Sequence, residues 1–150
     1  MDTLHTPWDF NVGTQQFVAH DHSQSLRYQF DCLNEIGMGG PLRGPCLWVM
    51  PDGKEVQIHA NCGGPPVWQQ QGNYVAISIW KFSWLTSWTT QIGVLEPASK
   101  QLILFKKSFK ALHLKQFDGC LITGVDSPIY LPEALQFDTS VATIERIIQL

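Results

Sequence analysis

The chain lacks every short motif that would announce an active site. No G-x-G-x-x-G follows a strand-like run, there is no Walker A loop, and no G-x-S-x-G elbow is present. A nucleotide cradle or a serine-hydrolase nucleophile therefore has no local support. Gly37-Met38-Gly39-Gly40 is too short a match and reads as a turn. No two carboxylates are placed by spacing for acid–base work. Charge is sparse, with only 15% Asp, Glu, Lys and Arg and a net charge of −3, which argues against a strongly basic nucleic-acid binder. No apolar run approaches the roughly 20 residues of a membrane-spanning helix. The first residues, MDTLHTPWDF, have neither a basic start nor an apolar stretch, so no signal peptide is expected and the cytoplasm is the expected compartment. The four cysteines, Cys32, Cys46, Cys62 and Cys120, include no C-x-x-C pair. Without an export signal they are expected to be free and largely buried thiols.

What is present is strand. The 150 residues suit one mainly β domain spanning 1–150, with residues 1–24 poorly patterned. The hydrophobic share of 44% argues against disorder. Asn73–Phe105 holds three of the six Trp residues and the densest strand-forming sequence. Within it, Tyr74–Phe82 is apolar on both faces, as a strand covered on both sides would be. Trp88–Leu95 and Gln101–Phe105 are joined by Glu96–Lys100, which suits a hairpin loop. Pro45–Ala60 reads as a second hairpin around Pro51-Asp52-Gly53. Gln15–His20 suits a short strand, and Ser25–Leu33 alternates as a half-buried one. Asn61–Asn73, rich in Gly and Pro, reads as a long loop that is functional or hides a short edge strand. Lys106–Gln116 fits either a helix or a bent strand. Gly119–Val125 reads as a strand and Leu131–Phe137 as a strand or loop. Thr139–Leu150 is open to a C-terminal helix, since Val141, Ile144, Ile147 and Ile148 follow the 3.6 period, or to a strand, since Val, Thr and Ile favour one. The fold class expected is an antiparallel β-sandwich or barrel, with that C-terminal helix left open.

Three clusters invite chemistry. His20 and His22 flank Asp21, and on a strand the two imidazoles would share a face. They are weak candidates for metal ligands, because only distant His59 or His113 could supply a third. A polar turn is the commoner arrangement, and no metal or other cofactor is expected. His59 and Cys62 could suggest a thiol nucleophile, but their odd spacing puts them on opposite faces of a strand. A buried structural cysteine is the simpler reading. Lys106, Lys107, Lys110 and Lys115, with Phe105 and Phe109 between them, could follow a nucleic-acid backbone while Trp80, Trp84 and Trp88 stack bases. The i, i+4, i+8 spacing of those Trp residues is also that of core residues, and the acidic chain makes nucleic acid the weaker partner.

Charge is uneven along the chain. Residues 1–35 and 118–150 each sum to −4, and the middle segment to +5. In size, acidity and lack of catalytic motifs the chain resembles the immunity proteins of bacterial toxin systems. That resemblance implies a non-catalytic, cytoplasmic, protein-binding module that neutralises a cognate basic toxin, such as a nuclease, by covering its active site. An aromatic anchor within an acidic rim would then be expected. Trp68 and Gln70 in the Asn61–Asn73 loop are the candidate anchor, and Asp118, Asp126, Glu133 and Asp138 the candidate rim. The competing function is a small-molecule binder or enzyme with a β-barrel pocket lined by Trp48, Trp80 and Trp88.

Overall fold

The computed structural model describes residues 5–10, 16–37, 39–127, 129 and 131–150. Their architecture is almost all antiparallel β. A long sheet runs in the order β1 (Gln16–Val18), β2 (Ser25–Tyr28), β4 (Leu42–Val49), β5 (Glu55–Cys62), β7 (Val75–Ser83), β8 (Ser87–Glu96), β9 (Gln101–Phe109) and β13 (Ile144–Gln149). Two short strands, β3 (Asn34–Glu35) and β6 (Val67–Trp68), add to β4 and β7. A second sheet holds β10 (Leu112–Asp118), β11 (Leu121–Asp126) and β12 (Glu133–Asp138).

The apolar patterning explains both layers. The long sheet curls, so that Leu26 of β2, Trp48 of β4, Ile77 and Ile79 of β7 and Leu102 and Leu104 of β9 share one core, with Phe17 of β1 and Ile148 of β13 packed against it. Among the described residues no pairing joins β1 to β13, so this curl is not a closed barrel. The other face of β7–β9 turns Ala76, Ile92, Val94, Phe105 and Phe109 toward Leu112, Leu114, Phe117, Ile122 and Phe137 of the three-stranded sheet. This second core makes the fold a sandwich. It also resolves the Lys106–Gln116 segment as two strands, with the aromatic residues that hinted at a helix filling the space between the sheets.

Several polar groups buried in these layers are paired, while the Arg43 Nε of β4 is buried with no hydrogen-bond partner among the described residues. A wide bulge leaves β9 with extra residues opposite Ile92, and the Gln91 side chain donates to the Phe105 carbonyl there at 2.9 Å. Tyr28 donates to the Gly63 carbonyl at 2.7 Å. At Gly93 a Cβ would lie 3.0 Å from Ile79 and 3.3 Å from Leu102 and Leu104, so a side chain there would have to push these neighbours aside by a few tenths of an ångström.

The C-terminal helix is not formed; Ile144–Gln149 is the strand β13. A bulge between Ile144 and Arg146 puts Ile144 and Ile147 on one face although they are three residues apart. That spacing imitates a helical stripe. Two of the four thiols also depart from expectation. Cys46 and Cys62 are buried, whereas Cys32 and Cys120 are exposed, and all four are free. The alternation from Ser25 stops at Tyr28, because Phe30–Cys32 is a 3-10 turn that carries Cys32 out of the sheet.

Candidate functional site

The β7–β8 hairpin has a solvent-exposed tip. Beyond the Trp80–Thr90 pair, the two strands continue as a ribbon through Lys81–Thr89, Phe82–Trp88 and Ser83–Ser87. Trp84 and Leu85 sit in the turn and are 85% and 78% exposed, and Phe82 is 61% exposed. The Phe82 and Trp88 rings meet at 5.4 Å. The Arg43 guanidinium of β4 lies 4.3 Å over the Trp88 ring and donates to Asn61 at 3.0 Å. On the other side of the ribbon Lys81 pairs with Glu145 at 3.6 Å. The ribbon's base is therefore braced from β4 and β13, and its tip remains apolar and uncovered. Folding does not require three large apolar groups in water; a contact surface does.

The same pole gathers further exposed apolar groups. The end of β9 and the start of β10 are joined here, with the end of β11 and the start of β12 beside them. Ile129 and Leu131, between β11 and β12, are also exposed.

The expected rim acids divide between two ends. Asp126 and Glu133 face each other across β11 and β12 at the tip's pole. Asp118 and Asp138 flank Leu121 in the adjacent registers, about 17 Å away along six residues of strand. Asp126 is a turn-builder, because its Oδ1 accepts the backbone N–H groups of Lys110 at 3.1 Å and Ala111 at 3.0 Å. Asp138 accepts both the backbone N–H and the hydroxyl of Ser140, which hold its carboxyl below the usual range. Asp118 accepts from the Gln71 side chain. Gln70 is exposed next to it, with its backbone N–H donating to Phe117 at 2.9 Å. Glu133 is exposed.

Trp68 is not an exposed anchor. It pairs with Val75 as part of β6, is 5% exposed, and its indole N–H donates to the Phe17 carbonyl at 2.9 Å. The hidden edge strand in the Gly/Pro loop turned it inward. Trp84, grouped by spacing with core residues, is the exposed ring instead. The i, i+4, i+8 series crosses a hairpin, so Trp80 is buried, Trp84 caps the turn and Trp88 is half-buried. These three rings do not form a stacking platform; Trp48 lines a cleft whose described wall includes neither Trp80 nor Trp88. The signal available in the sequence was Ser83, Thr86 and Ser87, turn-tolerant residues set among the aromatics.

The chemical clusters dissolve on inspection. His20 and His22 lie in the exposed turn after β1. His59 Nδ1 accepts the Asn61 backbone N–H at 3.0 Å, and the Cys62 thiol turns to the His59 carbonyl at 3.6 Å. The thiol and imidazole are thus engaged with backbone. Burial, and then nearby Arg146, push the His59 imidazole below its usual pKa. Among the described residues no group of three or more His, Cys, Asp or Glu is placed to hold a metal ion, and no helix is long and apolar enough to cross a membrane.

Comparison with protein-family models, with curated proteins and with solved structures finds no match to this chain.

Proposed function

We propose that the chain is a non-catalytic protein-binding module that neutralises a basic partner protein, as an immunity protein neutralises its toxin. The observation that carries this reading is the exposed tip of Phe82, Trp84 and Leu85 on a braced hairpin. Trp and Arg dominate binding hot spots, and here an exposed Trp sits beyond an Arg-stacked one. Holding the ribbon in advance lowers the ordering cost of association. Glu133 adds negative charge at the same pole, where it would favour encounter with a basic surface. The anchor is therefore assigned to the tip and not to Trp68, and the rim to Glu133 in preference to Asp126.

The test is capture from a lysate of the native host, using the tagged chain and a Trp84→Ala/Leu85→Ser variant. A stoichiometric basic protein held by the parent at moderate salt, and bound at least ~30-fold more weakly by the variant, is the expected result. That factor corresponds to a hot-spot loss of about 2 kcal/mol. Glu133→Lys should slow association and reduce its salt dependence. Equal capture by parent and tip variant, or no protein partner, would overturn the reading.

A further inference from the structure

The opposite end of the same hairpin holds a cleft. β7 is nine residues long, so this end lies about 26 Å from the tip. Here the β1–β2, β4–β5 and β8–β9 turns and the residues before β7 surround the mouth of the curled sheet. They enclose about 580 Å³, with Trp48, Met50, Tyr74 and Pro97 among the wall residues. That volume falls within the roughly 300–1,000 Å³ of small-molecule sites, which favour the mouths of barrel-like sheets.

One buried polar group makes the cleft more than a gap between turns. Gln24 lines it and is only 6% exposed. Its Oε1 accepts the Trp48 indole N–H at 2.8 Å. An indole N–H can only donate, so this bond fixes which end of the amide is oxygen. The NH2 group must then point away from the indole, and no described residue accepts a hydrogen bond from it. The residue is buried, but its NH2 nitrogen is not among the buried polar atoms left without a partner, so it opens to the cleft, where an acceptor from outside can reach it. At the rim, Asp52 is engaged by the Lys54 backbone N–H at 3.0 Å and lies 3.9 Å from the Lys54 ammonium. Lys100, also at the rim, has no ion pair with a described residue. The Gln24 NH2 group and the Lys100 ammonium are the donors left available; Asp52 and Asn73 place acceptors at the rim, and the walls are largely apolar.

We propose that this cleft binds a small molecule with an apolar body and a carbonyl-type acceptor, a carboxylate or an amide, which takes a hydrogen bond from the Gln24 NH2 group. The apolar body packs between Trp48, Met50 and Tyr74. The site is independent of the tip, and its occupancy does not depend on the protein-binding reading.

The experiment is a titration of the isotope-labelled full chain, followed by amide and side-chain NMR, with three probes: 4-phenylbutyrate, 4-phenylbutyramide and the 4-phenylbutylammonium ion. The first two carry the acceptor and the third carries only donors. The expected result is saturable shifts of the Gln24 side-chain NH2 and Trp48 indole signals with either acceptor probe, and binding at least ~10-fold weaker for the ammonium. Tighter binding of the carboxylate than the amide assigns a role to Lys100; equal binding assigns the contact to Gln24 alone. Gln24→Met should weaken acceptor binding by about 10-fold, the loss of one good hydrogen bond. Because that change also strips Trp48 of its acceptor, Ala98→Phe provides a second arm: Ala98 is an exposed turn residue of the cleft, and the larger ring obstructs the site without entering the core. No shift at about 10 mM probe, well above the millimolar Kd of such fragments, would overturn the proposal. So would equal affinity for the ammonium probe, or binding unaffected by Ala98→Phe.

Discussion

Raising the pH should unfold this chain from within. Tyr28 is fully buried and donates to the Gly63 carbonyl at 2.7 Å. Cys46 is buried beside it on the paired strand β4. Desolvation, first of all, drives both groups well above their ordinary values of about 10 and 9. Both stay neutral in the folded chain while the unfolded chain ionises. Their contribution is intact below about pH 9 and is lost as the pH rises, first through the thiol and then through the phenol. Each group can remove about 1.4 kcal/mol per pH unit above its unfolded pKa. The decline begins with the thiol and steepens as the phenol joins it, and a slope of that size is a sizeable fraction, per pH unit, of a typical stability of about 5–15 kcal/mol. The assay is urea unfolding, followed by Trp fluorescence under reducing conditions, across the alkaline range. Tyr28→Phe should cost about 1–3 kcal/mol near neutrality, because it strands the Gly63 carbonyl, yet flatten the decline above about pH 10. Cys46→Ala should flatten it from about pH 9. An unchanged alkaline slope in both variants would refute the reasoning.

Asp126→Ala should destabilise the fold by about 1–2 kcal/mol, since it removes the acceptor of two turn N–H groups; thermal unfolding measures this, and a loss of partner binding at full stability would contradict the structural role. Gly93→Ala should cost about 1–3 kcal/mol by forcing a methyl against Ile79, Leu102 and Leu104, read as a lower urea midpoint with an unchanged m-value.

The sheet was legible where burial on both faces left one pattern. Val75, Ile77 and Ile79 against Ala76 gave β7 its place at the centre, and Pro51-Asp52-Gly53 marked a real turn. The end of the chain was not legible, because a bulge at Ile144–Arg146 breaks the period of two on which strand recognition depends. Trp68 and Trp84 were inverted for a related reason. Aromatic identity records an affinity for contact but does not say whether the contact is made within the chain. Two residues of pairing with β7 were enough to bury Trp68. Three extra residue pairs beyond Trp80–Thr90 were enough to lift Trp84 clear of the core.

The placement of the two proposed sites follows from the same burial. β7 and β8 are covered on both faces through most of their length, so neither strand can present a side chain to solvent from its middle. Contact can occur only where the covering layers end. One end is the ribbon beyond the β9–β10 turn, and it projects apolar rings. The other is the mouth of the curled sheet, and it recedes around Gln24 and Trp48. A projecting surface suits a partner with a concave face, while a recessed one suits a molecule small enough to enter. Because about 26 Å of packed strand separates them, substitutions at Trp84 and at Ala98 share no neighbours and should act additively. Non-additivity would mean that the hairpin transmits occupancy from the cleft to the tip, and that the ligand regulates the partner contact.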